Sequence, residues 1–188
     1  MRITGGALRG RPLRAPEGQA IRPTSERARQ AVFNILAHAA FGVAIEGAAV
    51  VDVFSGVGAM GLEALSRGAK HATFIDDDPA AIACVRANAA LLRLARQATL
   101  LKLDATRLPP PPLATEAPAA LAFLDPPYKS GLAVPALAEL RRAGWIGDGA
   151  ICTVEVEARE PLAPPPGFTV VDERVYGRAR IVFLKVGA

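Results

Sequence analysis

The sequence predicts an α/β fold: a mostly parallel, doubly wound sheet closed by an antiparallel hairpin, with a small basic extension in front of it. Two observations carry that prediction. From residue 48 onward, short apolar β-rich runs alternate strictly with segments of helical period, the pattern of repeated strand–helix–strand units. The last two apolar runs are instead joined by a link of hairpin length, which cannot hold the crossover that parallel strands require. With 188 residues, 51% of them apolar, the chain can bury one substantial core and is too short for two full domains.

The elements follow in order from local chemistry. Residues 2–24, RITGGALRGRPLRAPEGQAIRPT, are rich in Gly and Arg and read as a small hairpin that orders fully only on a partner. Thr24 or Ser25, with Glu26, opens a helix whose Ala28, Ala31, Val32, Ile35, Leu36 and Ala39 recur at helical period. Its other face carries Arg27, Gln30 and Asn34. We therefore divide the chain into an Arg-rich extension, 1–44, and a main domain, 45–188. The strand-like runs of the main domain are AAVVDVF (48–54), HATFID (71–76), ATLLKL (98–103), LAFLD (121–125) and AICTVEVE (150–157). Helical segments separate them: GAMGLEALSRG; then DPAAIACVRANAALLRL, which Asp78 can cap with Pro79 in its first turn; then VPALAELRRAG, ending at Gly144. FTVVDERV and ARIVFLKV, joined by Tyr176, Gly177 and Arg178, form the closing hairpin. LPPPPLATEAP and PLAPPPG read as stiff exposed connections, with a ligand for a proline-binding module as the alternative. There is no internal repeat.

Charge is unevenly spread. Residues 1–42 hold seven arginines against Glu17 and Glu26, a net +5, and the remaining 15 basic and 16 acidic residues carry net −1. All seven cations are Arg, whose planar fork suits phosphates and base edges better than the point charge of Lys. A polyanion, nucleic acid above all, is the partner this favours; a solvated tail is the plain alternative. No window of ~18 uncharged apolar residues is present and the start lacks a signal-peptide core, so a cytoplasmic protein without membrane contact is expected. Cys84 and Cys152 lie far apart with no partner histidine spacing, and read as buried thiols, with no metal site.

Two loops carry the chemistry. VVDVFSGVGAMGLEAL places Gly56, Gly58 and Gly61 between a strand and a helix, with Asp76 twenty residues beyond Gly56 at the end of the next strand. Such glycines let the backbone approach a nucleotide, and the acid can hold ribose hydroxyls. A dinucleotide dehydrogenase fits that pattern too. Asp52, inside the first strand, argues for a cationic ligand over a pyrophosphate, and S-adenosylmethionine carries an ammonium and a sulfonium there. The second loop is FLDPPYKSG, residues 123–131, where proline must stop a buried strand at Asp125. Exocyclic amines of nucleobases are poor nucleophiles because their lone pair is delocalised into the ring. Asp125 and the Pro126 carbonyl, each accepting one amine hydrogen, would aim that lone pair; the Pro126-Pro127 pair stiffens the loop. Tyr128 offers a face for an extruded base, worth about 1–3 kcal/mol. An ordinary turn is the plain alternative.

D-P-P-Y after a strand, together with DVFSGVGAMG, resembles the Rossmann-like class I methyltransferases that act on exocyclic amines. RITGGALRGRPL, IRPTSERARQAVFN, LEALSRGA and FLDPPYKSGL, in that order, resemble the bacterial RsmD-type family of 16S ribosomal RNA guanine-(2-amino) methyltransferases. The resemblance runs over nearly the whole chain. It implies a seven-stranded sheet, S-adenosylmethionine as donor, and one guanine of 16S rRNA, the family's guanine 966, within an assembling or assembled small subunit. By position it implies that Asp52, Phe54, Gly56, Gly58 and Gly61 line the methionine and ribose side. Asp76 would take the ribose hydroxyls, Asp104 would lie near the adenine amine, and Asp125, Pro126, Pro127 and Tyr128 would meet the target base. It also places Arg22, Pro23 and Thr24 at the helix entry. Arg9, Arg11, Arg14, Arg22, Thr24, Arg27 and Arg29 form the expected RNA grip. The family usually has Glu where this chain has Gln30, so no charged role is assigned there. Three other readings remain: a DNA adenine amino-methyltransferase, a non-catalytic RNA-binding protein on the same frame, and an NAD dehydrogenase. The first lacks a region large enough for groove readout; the second gives no use to Asp125; the third lacks a well-placed His or Lys.

Overall fold

Strands β1 (Ala49–Val53), β2 (His71–Asp76), β3 (Ala98–Lys102), β4 (Ala119–Leu124), β5 (Ile146–Glu157), β6 (Phe168–Tyr176) and β7 (Ala179–Val186) form one sheet in the order β3-β2-β1-β4-β5-β7-β6. The first five are mutually parallel, and β7 is antiparallel to both β5 and β6. The computed structural model describes residues 1–15, 26–38 and 41–187. Helices α1 (Glu26–His38), α2 (Ala59–Ser66) and α3 (Pro79–Leu91) cover one face, and α4 (Ala133–Arg142) packs on the other. The strand order reverses between β1 and β4, and there the carboxyl ends of the strands open a crevice.

The sequence explains these elements. β1 and β4 are buried on both faces, as strands between helical layers must be. The Asp78 side chain accepts the Ala80 N–H at 2.8 Å and Pro79 occupies the first turn of α3. β5 is longer than AICTVEVE: it begins at Ile146, with a register shift against β4 between Ala119 and Leu121. The closing link is Gly177-Arg178 alone, since Tyr176 still pairs with Ala179. Edge strand β6 shows Asp172, Glu173 and Arg174 beside exposed valines, charges that blunt an open edge.

The amino-terminal segment departs from expectation. Residues 1–15 do not wait for a partner to order: Arg2 bridges Pro12, and Ile3 and Leu13 are buried in the same core cluster as Val32, Phe33 and Leu36 of α1 and Phe123 of β4. Full burial of each such side chain stabilises by about 1.5–3 kcal/mol, which offsets part of the entropy lost when the hairpin orders. Arg22, Pro23, Thr24, Ser25 and Ala39 lie outside the described residues. Cys152 is buried, and burial pushes its thiol up to about 12. Cys84 is only half-buried, its Sγ 3.4 Å from the Arg14 carbonyl oxygen. No helix among the described residues is long and apolar enough to cross a membrane.

Candidate active site

The chain leaves β1 through a tight turn. Phe54 has φ 58°, a left-handed conformation uncommon outside Gly, and Gly56 and Gly58 follow at 53° and 79°. The Gly58 N–H closes the turn on the Ser55 carbonyl at 2.7 Å, and the Ser55 N–H bonds Ile75 of β2 at 3.2 Å. The turn is thereby fastened to β2, whose last residue is Asp76. The Gly56 N–H donates to Asp76 Oδ2 at 2.9 Å and the Asp78 N–H to Oδ1 at 3.0 Å, fixing that carboxylate at the crevice mouth. Burial raises the Asp76 pKa, which these two donors partly offset.

The three glycines divide their work. A Cβ on Gly56 would meet nothing within 4 Å, so its face is open to a ligand. A Cβ on Gly61 would lie 2.4 Å from Phe74 Cε1, and one on Gly58 3.1 Å from Val85 Cγ1, so these two let α2 and α3 pack closely on the sheet. Asp52 does not line the crevice as expected. It is 3% exposed, and its Oδ2 accepts the Gly61 N–H at 2.8 Å, so it fastens α2 to β1 from behind the loop. Burial pushes its carboxyl up to about 8, against the Gly61 N–H, which lowers it, and with Asp76 adding repulsion. Other acids supply the negative wall that suits a cationic ligand.

Those acids line a cavity of about 480 Å³, bounded by Phe54, Asp76, Asp77, Asp78, Asp125, Pro126, Pro127, Tyr128 and Glu155. Five carboxylates line it, with no basic side chain among its described residues. Phe54, Asp76 and Asp77 are shared with a second cavity of about 170 Å³, which continues past Leu103, Asp104 and Thr106 to Leu132. Asp104 is exposed; Thr106 bonds it through its N–H at 2.8 Å and its hydroxyl at 2.7 Å, which lowers its pKa. Together the cavities form one cleft, with Asp104 at one end and Asp125 at the other.

At the Asp125 end, the Asp125 N–H still reaches the Val53 carbonyl at 3.4 Å, after which the prolines end the pairing. The Ser130 N–H closes a turn on the Pro127 carbonyl at 3.2 Å, with Lys129 at φ 60°. Glu160 accepts the Lys129 N–H at 3.0 Å, and Lys129 pairs with Glu157 at 2.9 Å, pinning the loop to the end of β5. Tyr128 donates its hydroxyl to Glu155 Oε1 at 2.8 Å. Glu155 was missed from the sequence: the one local signal is an acid in the largely apolar run ICTVEV, and its place beside the end of β4 comes from strand register. A wider depression of about 700 Å³ lies beyond the loop, among Lys129, Arg159 and Arg178, but Glu157 pairs with both Lys129 and Arg178 there.

The basic residues separate into two groups. Arg9, Arg11, Arg14 and Arg27 are exposed. Arg29 is not part of any surface grip: it is 0% exposed, pairs with buried Glu63 at 3.3 Å and donates to the Arg2 carbonyl. The hairpin tip, where Ala7 and Leu8 bond Ser66, lies at the far end of α2 from the cleft. Arg14 is tied to the back of the glycine turn: Asn88 accepts its N–H at 2.8 Å and donates to the Val57 carbonyl at 3.0 Å.

A family model described as Conserved hypothetical protein 95 matches residues 1–185. The chain belongs to this family, that of the RsmD-type methyltransferases. Ribosomal RNA small subunit methyltransferase D of Escherichia coli (strain K12) is 37% identical over 180 residues, covering 95% of this chain and 86% of that protein. The protein of the same name from Haemophilus influenzae is 32% identical over 181 residues, 94% and 89% of the two chains. Among solved structures, the Escherichia coli methyltransferase yhhF superposes with a TM-score of 0.82 at 34% identity, over 100% of this chain and 98% of that one.

In this RsmD-type chain the amino-terminal motifs meet at one buried carboxylate. Glu63, from LEALSRGA, accepts the N–H and hydroxyl of Thr4 at 2.8 Å each, Arg29 Nε at 3.3 Å and Arg67 Nε at 2.9 Å. Arg67 also lies 4.9 Å over the Phe33 ring. Hairpin, α1 and α2 are thus tied at a point behind the cleft.

Proposed function

We propose that this chain transfers a methyl group from S-adenosylmethionine to the exocyclic 2-amino group of one guanine in bacterial 16S ribosomal RNA, guanine 966 in the family's numbering. The observation that carries the reading is one cleft that runs from Asp125, Pro126, Pro127 and Tyr128 past Asp76, whose carboxylate the Gly56 N–H holds, to Asp104. The residues fit the donor: an acidic wall for its cationic methionine end, an aimed carboxylate at Asp76 for ribose hydroxyls, and Asp104 in the adjoining cavity for the adenine amine. When bound, S-adenosylmethionine supplies an electrophilic methyl on a sulfonium.

The chain's own residues prepare the base. Tyr128 stacks it, and the Pro126 carbonyl and Asp125 each accept one hydrogen of the amine, so that its lone pair faces the donor side of the cleft. Asp125 takes up the proton that the amine gives up. The small-subunit RNA methyltransferase names of two relatives support the substrate class. Exposed Arg9, Arg11, Arg14 and Arg27, with Arg22 and Thr24, would hold the RNA backbone of an assembling or assembled subunit.

Calorimetry and a labelled-methyl assay test this together. S-adenosylmethionine and its demethylated product should bind, NAD should not, and label should pass to small-subunit RNA. Saturable NAD binding with no response to S-adenosylmethionine would overturn the assignment.

A further inference from the structure

Glu155 has no part in the chemistry above, yet it borders the place where the base must sit. Leu124 of β4 pairs with Val154 of β5, so Asp125 and Glu155 each follow directly on a paired residue of two adjacent parallel strands, whose backbones lie about 4.8 Å apart where they pair. Residues in register point to the same face. Both accordingly line the 480 Å³ cavity, and both line a narrow crevice with Val32, Met60, Thr153 and Ile181 beneath it. Glu155 is 8% exposed and clamped by strand pairing on both sides, to β4 through Val154 and to β7 through its own pairing with Ile181. Burying a carboxylate in a central strand costs stability unless its oxygens find donors. Tyr128 supplies one to Oε1 and thereby orients the group.

Guanine and adenine differ on the edge that such a pair of carboxylates would meet. Guanine presents two donors side by side, N1–H and the 2-amino group; adenine presents an amino group beside the N1 lone pair. Two adjacent acceptors complement the first edge, whereas the second sets a lone pair against a negative charge. We infer that Glu155 is the guanine selector: its carboxylate accepts the N1–H of the target base while Asp125 takes the 2-amino group, and the Tyr128 hydroxyl holds it in place. This rests on the methyltransferase reading and adds the residue that chooses the base.

The test uses the full-length protein and small-subunit RNA carrying either guanine or 2-aminopurine at the target position. 2-Aminopurine keeps the amine but has a lone pair at N1. The wild type should favour guanine by roughly 10²-fold or more in kcat/KM, because a site built to receive a donor rejects an analogue lacking it. In Glu155→Gln the amide can turn its NH₂ toward a lone pair, so the preference should shrink at least ~10-fold. The ratio is taken within each variant and does not depend on the fraction folded. Equal slowing on both RNAs would show that Glu155 only anchors Tyr128 and would overturn the inference. Failure of the wild type on guanine RNA would instead remove the methyltransferase reading beneath it.

Discussion

Asp125 sits where β4 must stop, and its carboxylate lines the cleft without belonging to either core cluster, so its loss should be felt in chemistry more than in folding. Asp125→Ala should lower turnover by roughly 10² or more while leaving the melting temperature and cofactor affinity nearly unchanged. Asp125→Asn keeps an accepting oxygen but cannot take up the amine's proton, which then passes to solvent, and should retain reduced but measurable activity; a wild-type rate in Asp125→Ala would contradict the loop's role. Tyr128→Ala should be severe because stacking needs the ring. Tyr128→Phe should be milder without being silent, since it also releases Glu155. Asp52 gives a prediction of another kind. Its pKa, raised by burial from 3.8 to about 8, means the folded chain holds a proton that the unfolded chain has already released between those values. Stability contributed at this position therefore falls as pH rises from about 4 to about 8 and levels off above. Asp52→Asn removes that slope while keeping an acceptor for the Gly61 N–H. The melting-temperature advantage of Asp52→Asn over wild type should grow between pH 5 and pH 8; a constant difference would show that Asp52 stays ionised.

At the scale of elements, the tie between hairpin, α1 and α2 is the feature most open to test. Breaking one side of a buried ion pair costs about 3–5 kcal/mol, so Arg29→Met should cut stability in urea by about that much, against roughly 0.5 kcal/mol or less for exposed Arg27→Met. Equal, small effects would place Arg29 at the surface after all. The same tie shows what could be read from residues alone. The strands were legible because both-face burial leaves continuous apolar runs, and the helix start at Pro79 because its cap is local. Arg29 was misread although the signal was present: it precedes Val32, Phe33 and Leu36 by three, four and seven residues and so shares their face. Its charge suggested surface, and only its partner Glu63, 34 residues away, explains its burial. Asp52 and Gly61 were misplaced for a related reason. A motif tells which residues surround a turn, but whether each faces the ligand or the layer behind depends on packing against Phe74 and Val85. Glu155 joined the site through strand register, which no local stretch encodes.

For the whole molecule, the basic excess at the amino end predicts an electrostatic grip on RNA that salt weakens. Truncating the hairpin would not test it cleanly, because Ile3 and Leu13 belong to the core. Replacing exposed Arg9, Arg11, Arg14 and Arg27 by Gln should leave cofactor binding intact and flatten the salt dependence of RNA affinity, by roughly 0.7–0.9 in log–log slope for each phosphate no longer neutralised. An unchanged slope would mean that these arginines touch no phosphate. The hairpin tip bonds the far end of α2 while Arg14 is tied through Asn88 to the glycine turn, so Arg14→Gln alone should weaken turnover more than Arg9→Gln. The central claim is that the Asp125 loop presents a guanine 2-amino group to a methyl donor. It is tested most directly by mapping modified nucleosides in 16S ribosomal RNA from a deletion strain complemented with the wild type or with Asp125→Ala. The account predicts one N2-methylguanosine that is lost on deletion, restored by the wild type and not restored by Asp125→Ala. A methyl group that maps to adenine, or that Asp125→Ala restores in full, would contradict it.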